Sequence, residues 1–235
     1  MKTKVFNVVV LDRSGSMMSV RRAAVDGFNE TLSGIQRAQE KFAATQEHFV
    51  TLVAFCGCQL QTVLDQVPAA EASPLRMEDY MPCCSTPLYD AMGFTFTPLR
   101  KQVQEMEDAV VVVTIITDGY ENASKEYDGK TIRQLVETLR GEGWTFTYMG
   151  ANQDAVEVAM TLSIRNSRNF DYSEEGTRRG MRKDSCTRMR FFEQLSDFKA
   201  KEYEEERPGM SVEERRQRYT GMADEAFDEM EHLRE

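Results

Sequence analysis

The chain has 235 residues and a formal net charge of −10 at pH 7, from 29 basic and 39 acidic side chains. Apolar residues make up 41% and charged residues 29%, the balance of a soluble globular protein with enough apolar material for a core. This acidity disfavours nucleic acid and anionic membranes as partners, and it favours cationic ligands or divalent metal ions.

The N-terminal segment and the cysteines predict a cytoplasmic protein. The apolar run at 5–11 is too short for a secretory signal, and no stretch reaches the roughly 20 apolar residues that span a bilayer. The five cysteines are odd in number, which argues against a disulfide framework. Cys56, Cys58, Cys83 and Cys84 could supply four thiolates to zinc. Their spacing differs from the usual C-x-x-C pair, so free thiols are the favoured interpretation.

The first part of the chain alternates strands and helices. The nearly continuous apolar run at 4–11 predicts a strand covered on both faces, and a helix with an apolar stripe follows over 19–41. Strands are predicted over 48–55 and 59–66, and the tight link at 56–58 predicts a hairpin between them. A helix over 88–106 comes next, despite Pro98 within it.

The second part carries the strongest strand signal, AVVVVTIIT at 109–117, which predicts a central buried strand. A helix over 131–140, a strand over 144–149, a helix over 154–162 and a short strand over 169–172 follow. This order predicts an α/β fold with a doubly wound, mostly parallel six-stranded sheet that has one antiparallel edge strand and helices on both faces.

Charge density changes near residue 172. Residues 1–172 hold 38 charged side chains, and the much shorter segment 173–235 holds 30. We therefore expect a core domain, 1–172, and a charged helical C-terminal extension, 173–235. Helices are predicted over 188–206 and, after a break at 208–209, beyond the capping-box pair Ser211 and Glu214. Apolar residues at helical spacing in the last helix are expected to pack back on the domain, with docking to a partner as the alternative.

Oxygen-bearing side chains follow the predicted strands where parallel strands end. Asp12, Ser14 and Ser16 come directly after the first strand, and Asp118 follows the central strand. Thr86 opens the helix that precedes the central strand. Because ligands bind beyond the carboxyl ends of parallel strands, these hard oxygen donors predict a Mg²⁺ site at one edge of the sheet.

This set resembles the metal-ion-dependent adhesion site of von Willebrand factor type A domains. The strings VVVLDRSGSM, STPLYDA and IITDGYEN fit that pattern, and TFTYMGANQDA is similar to the fifth-strand region of stand-alone bacterial members. The resemblance covers about residues 1–172 and implies a Rossmann-like fold. It implies that Ser14, Ser16 and Thr86 bind Mg²⁺ directly, and that Asp12 and Asp118 act mainly through bound waters.

The resemblance also implies a function. It points to a non-enzymatic intracellular adaptor whose Mg²⁺, or Mn²⁺ in its place, binds an Asp or Glu carboxylate of a partner protein. Bacterial proteins of this kind often work beside AAA-type ATPases, so such an ATPase is a candidate partner. Four neighbouring side chains are candidates for the rim of the binding surface: Arg13, Met17, Tyr89 and Tyr120. Nothing in the resemblance extends to 173–235.

Two alternatives remain open at this point. In the first, Asp12 is the nucleophile of a phosphoryl-transfer hydrolase, although Ser14 stands where such enzymes have their second carboxylate. In the second, the chain is a scaffold that acts through its tail. The tail carries a basic cluster, Arg178, Arg179, Arg182, Lys183, Arg188 and Arg190. Nucleotide-binding enzymes are disfavoured because neither G-x-G-x-x-G nor a P-loop motif is present.

Overall fold

A computed structural model describes residues 1–150, 155–169, 174–204 and 210–232. Six strands form one sheet: β1 (Thr3–Asp12), β2 (Gln46–Cys56), β3 (Gln59–Pro68), β4 (Ala109–Thr117), β5 (Trp144–Gly150) and β6 (Asn166–Asn169). Their order is β3-β2-β1-β4-β5-β6, and neighbours are parallel except for the antiparallel hairpin of β2 and β3. The predicted six-stranded sheet with one antiparallel edge strand is confirmed.

In the part of the chain that the structure describes, six α-helices flank this sheet: α1 (Arg21–Lys41), α2 (Leu88–Gln104), α3 (Gly129–Gly141), α4 (Ala155–Thr161), α5 (Glu174–Glu204) and α6 (Val212–His232). A 3₁₀ turn, Gly15–Val20, precedes α1, so the first predicted helix begins as a tighter coil. The strand predicted over 169–172 is displaced, because β6 lies over Asn166–Asn169 and 170–172 fall outside the described residues. Since β6 reads NSRN, it carries no apolar pattern that could have revealed it.

Successive side chains of β1 point to opposite faces of the sheet, and the core therefore has two layers. Phe6, Val8 and Val10 face α2 and α3 on one side of the sheet, in a cluster that includes Trp144 of β5. The other side of β1 faces α1 near the carboxyl end, through residues such as Leu11, and faces α5 and α6 near the amino end. A strand covered on both faces explains the continuous apolar run in the sequence.

The C-terminal helices belong to this second layer. Phe191 of α5 and Phe227 of α6 are buried in one cluster with Val5 of β1 and Val110 of β4. The boundary expected at 172 falls outside the described residues. At the start of α6, the Ser211 N–H donates to the Glu214 carboxylate (2.9 Å) and the Glu214 N–H donates to Ser211 Oγ (3.2 Å), which is the expected capping box.

The basic cluster of the tail does not form one surface patch. Arg188 is buried, with its guanidinium 2.7 Å from the Asp184 carboxylate and a further hydrogen bond to Thr114 of β4. Arg182, Lys183 and Arg190 are exposed. The side chains of Arg178 and Arg179 lie outside the described part of the chain. Within the described residues, no helix is both long and apolar enough to cross a bilayer.

Candidate metal site

Three segments of the chain meet where β1 and β4 end. The position that a Cβ atom on Gly119 would take lies 3.2 Å from Thr86 Oγ1, 3.5 Å from Ser16 Oγ and 3.9 Å from Asp12 Oδ2. Three oxygen donors from distant parts of the sequence therefore surround one point. Glycine at 119 leaves that point free of side-chain atoms.

Hydrogen bonds connect the remaining two predicted ligands to this cluster. Ser14 Oγ lies 3.2 Å from Ser16 Oγ, and Ser16 Oγ donates to Asp118 Oδ1 at 2.7 Å. Because Ser16 directs its proton to Asp118, its oxygen accepts from Ser14 through one lone pair and keeps the other for a cation. The structure thus brings all five residues predicted to hold the metal into one hydroxyl–carboxylate cluster.

The carboxyl group of Asp12 is fully buried and tightly held. Its Oδ1 accepts the Ser14 N–H at 2.6 Å, and its Oδ2 accepts the Thr117 hydroxyl at 2.6 Å. Burial raises the pKa of Asp12 to about 6 against the opposing effect of these hydrogen bonds. Burial also raises the pKa of Asp118, against the opposing hydrogen bond from Ser16. A bound cation would favour the ionised form of both groups.

Thr86 is fixed by the loop that follows β4. The Thr86 N–H donates to Asn122 Oδ1 at 2.8 Å, and the Asn122 N–H donates to the Thr86 carbonyl oxygen at 3.1 Å. The same loop caps the start of α2, since Glu121 accepts the Tyr89 N–H at 2.9 Å. The positions of Thr86 and Asp118 are therefore coupled through one loop.

Three supporting residues were not identified from the sequence. Thr117 directly precedes Asp118 and Asn122 follows it closely, so the string TDGYEN held a signal for both. Tyr80 is buried and its hydroxyl donates to the Asp12 carbonyl oxygen. No local sequence pattern relates Tyr80 to Asp12, because the two residues are 68 positions apart and meet only in the folded chain.

The rim prediction needs two corrections. Met17 is fully buried, because the 3₁₀ turn directs it into the core, and its neighbour Met18 is 50% exposed. Arg13 is 8% exposed and turns to the β2–β3 hairpin, where its guanidinium donates to Gln61 (3.2 Å) and Gln59 (3.3 Å).

The two predicted rim tyrosines differ in exposure. Tyr120 is 53% exposed beside the cluster, whereas Tyr89 is half-buried. The exposed surface next to the oxygen cluster therefore includes Tyr120 and Met18.

The donor set fits a small, hard divalent cation. Hydroxyl and carboxylate oxygens are the ligands that Mg²⁺ and Mn²⁺ prefer, and the cluster presents them around a cradle that the absence of a Cβ at Gly119 keeps open. A purely structural polar cluster would not need such a space.

Comparison with solved structures gives the fold. Neither a protein-family model nor a curated protein matches the sequence. The PilB minor pilin of Streptococcus sanguinis is 11% identical, with 84% of this chain and 62% of that chain covered and a TM-score of 0.56. The pilus adhesin SpaC of Lactobacillus rhamnosus GG is 15% identical, with 82% and 30% covered and a TM-score of 0.58.

A third structure is a single domain of similar extent. The vWF domain of the type V pili tip protein Mfa5 from Porphyromonas gingivalis is 9% identical, with 90% of this chain and 99% of that domain covered and a TM-score of 0.52. The chain has a von Willebrand factor A-like fold. At these identities the likeness concerns the fold alone, and the chain spans less than two thirds of PilB and SpaC.

Proposed function

We propose that this von Willebrand factor A-like chain is a non-enzymatic protein-binding module that uses Mg²⁺ to bind a carboxylate of a partner protein. The observation that carries the proposal is the convergence of oxygen donors from three segments around the open position at Gly119. In this arrangement Ser14, Ser16 and Thr86 would hold the ion through their hydroxyl oxygens. Asp12 and Asp118 would act through bound waters.

The hydrogen bonds support this division of roles. Both oxygens of Asp12 already accept protein donors, from Ser14 and Thr117, and Asp118 accepts the proton of Ser16. In this proposal the side chains that face the ion directly are the neutral hydroxyls of Ser14, Ser16 and Thr86. An ion held mainly by neutral oxygens keeps a strong attraction for an external carboxylate. Mn²⁺ would serve in the same way, because it prefers the same oxygen ligands.

The partner we propose is a protein that presents an Asp or Glu side chain, and a AAA-type ATPase is one class to test. The exposed Tyr120 and Met18 would contact the surface around that carboxylate. The net charge of −10 disfavours nucleic acid and anionic membranes as partners. We place the module in the cytoplasm, since its described cysteines are free thiols, which persist in reducing compartments.

The decisive experiment combines metal binding with partner capture. Calorimetry with Mg²⁺ and Mn²⁺ should show one site in the wild type and none in Ser14→Ala, whereas Thr138→Ala, on the exposed face of α3, should bind normally. Proteins captured from the native host should be lost on chelation and with Ser14→Ala, and kept with Thr138→Ala. Capture that survives both chelation and Ser14→Ala would refute the proposal.

A hydrolase with Asp12 as nucleophile has less support. Asp12 has no exposed surface, and both of its oxygens are engaged in hydrogen bonds. Ser14 has no carboxylate to serve as the general acid and base. Mg²⁺-dependent phosphatase turnover that is lost in Asp12→Asn would favour the hydrolase over the binding module.

A further inference from the structure

Four cysteine thiols gather beside the oxygen cluster. The Sγ atoms of Cys58, Cys83 and Cys84 all lie within 4.8 Å of one another, and Cys56 Sγ lies 3.4 Å from Cys83 Sγ. In a tetrahedral zinc site with Zn–S bonds of about 2.3 Å, the sulfur atoms are about 3.8 Å apart. The thiols of Cys58, Cys83 and Cys84 are therefore already close to the spacing of a thiolate metal site, and Cys56 adjoins this group through its contact with Cys83.

Two backbone segments hold these thiols together. Cys56 and Cys58 lie at the β2–β3 turn, and the Gly57 N–H between them donates to the Ser85 carbonyl oxygen at 2.8 Å. A Cβ on Gly57 would lie 2.2 Å from Ser85 Oγ and 3.3 Å from the Ser85 backbone nitrogen, so glycine at 57 favours this close approach of the turn. Cys84 has a φ of +63°, a left-handed conformation that is uncommon for cysteine. The contact is thus built from both sides by specific backbone features.

The charge around the thiols suits a thiolate cluster. Four thiolates around one divalent cation leave an excess of negative charge, and the buried Arg13 guanidinium donates to Cys56 Sγ at 3.7 Å. Soft thiolate ligands select Zn²⁺ over Mg²⁺, whereas the neighbouring oxygen cluster has the opposite preference. The two clusters are therefore chemically distinct, although one short segment, 83–86, contributes to both.

We propose that Cys56, Cys58, Cys83 and Cys84 form a second metal site, for a thiophilic divalent cation such as Zn²⁺. Each thiol that binds releases its proton to solvent as the metal–sulfur bond forms, so no electron transfer is involved. The bound ion joins the β2–β3 turn to the segment that ends at Thr86. The site does not depend on the function proposed for the oxygen cluster.

The test uses Co²⁺ as a spectroscopic probe of the full-length, reduced protein in excess Mg²⁺. Thiolate coordination gives near-ultraviolet sulfur-to-cobalt charge transfer and intense visible bands of tetrahedral cobalt, which an oxygen-ligand site does not give. We expect both features in the wild type, and their loss when Zn²⁺ is added. They should disappear in the double variant Cys58→Ser/Cys84→Ser. They should persist in Ser14→Ala and in Cys186→Ser, which removes an exposed cysteine outside the cluster.

A second measurement guards against misfolding of the double variant. In the wild type, Zn²⁺ should slow alkylation of Cys58 and Cys84 at least tenfold, as mapped by mass spectrometry, and should leave Cys186 unprotected. The proposal is overturned if reduced wild-type protein gives no thiolate bands with Co²⁺, or if Zn²⁺ protects none of the clustered cysteines. A Cys56–Cys83 disulfide that persists under reducing conditions would also overturn it. Loss of Mg²⁺ binding in Ser14→Ala with the cobalt bands intact would separate the two sites.

Discussion

Gly119 leaves open space at the candidate metal site because it has no side chain. Its neighbours across the site are oxygen atoms: Thr86 Oγ1 and Ser16 Oγ lie within van der Waals distance of where its side chain would begin. The position of this glycine, and not only the identity of the ligands, determines whether an ion fits. Gly119 also has no positive φ angle that would prevent substitution, so it offers a test of the site that spares the fold.

We predict that Gly119→Ala weakens Mg²⁺ and Mn²⁺ binding at least tenfold, about 1.4 kcal/mol. The added methyl group would occupy the position where the oxygens of Thr86 and Ser16 converge. Calorimetric titration measures the affinity, and urea denaturation should show a change in unfolding free energy of less than about 1 kcal/mol. Gly221→Ala is the matched control, because a Cβ there meets no atom within 4 Å. Unchanged affinity in Gly119→Ala would place the ion elsewhere.

At this scale the sequence predicted which oxygen-bearing residues come together better than it predicted their surroundings. Asp12, Thr86 and Asp118 could be assigned because they directly follow apolar strands or open a helix, where the backbone fixes their location. The role of Tyr80 depends on a tertiary contact that no local pattern encodes, whereas Asn122 lies in the same short string as Asp118 and could have been identified. Met17 was assigned to the rim instead of Met18 because a 3₁₀ turn rotates side chains differently from an α-helix.

Among the elements, β2 carries a buried histidine, His48, that contacts both β1 and the C-terminal helix α5. His48 Nε2 lies 3.0 Å from Gln46 Oε1, and His48 Nδ1 lies 3.4 Å from the Asn7 side-chain nitrogen of β1. The ring also packs edge-on against Phe192 of α5, with 4.7 Å between the centroids. Burial lowers the pKa of His48 to about 3, so the folded protein holds this imidazole neutral.

We predict that this histidine reduces stability in acid. The unfolded chain takes up the proton near pH 6.5 and the folded chain only near pH 3, so the contribution of His48 is complete above pH 6.5 and is lost as the pH falls toward 3. Between pH 7 and pH 5 the wild type should lose about 2 kcal/mol more unfolding free energy than His48→Gln. Urea denaturation at both pH values measures this difference. Equal losses in the two proteins would show that His48 does not titrate in this way.

Most strands and helices could be predicted from the sequence, and a comparison of their first and last residues shows why. The strand at Ala109–Thr117 was predicted with the bounds that the structure has, because its apolar run is continuous and sharply flanked. β6 was misplaced because its four polar residues pair at a sheet edge, where burial imposes no apolar pattern. The bounds of β2 and α3 extend by one or two residues beyond the apolar pattern, as hydrogen bonding does not stop where hydrophobicity ends.

For the molecule as a whole, the charged tail is less separate than its composition suggests. Residues of α5 and α6 share a buried cluster with β1, β4 and the end of α1. Most of these charges lie on the outer faces of the helices, while the inner faces are largely apolar and bury a few paired charges, such as Asp184 with Arg188. Composition averages the two faces, so it could not show that the helices cover the sheet.

We predict that Phe227→Ala lowers the unfolding free energy by about 3–5 kcal/mol in one cooperative transition. Phe227 is 2% exposed in the cluster that joins α6 to the sheet. The one tryptophan, Trp144, packs against Phe96 in the other layer, so its fluorescence reports on the sheet. Its transition should shift together with the far-ultraviolet circular dichroism signal, and Gln217→Ala, at an exposed position of α6, should leave both unchanged. A fluorescence transition that stayed in place would mean that α6 unfolds independently.

The edges of the sheet also bear on how the protein behaves at high concentration. Pairing between β2 and β3 shifts register on both sides of Leu52, and β3 carries the exposed Asp65 and a positive φ at Gln66. Bulges and charges of this kind hinder another strand from adding to an edge. At the opposite edge, β6 is only four residues long. Both borders thus offer poor templates for the addition of a strand from another copy, so crowded chains would meet through their side chains and not through a shared sheet.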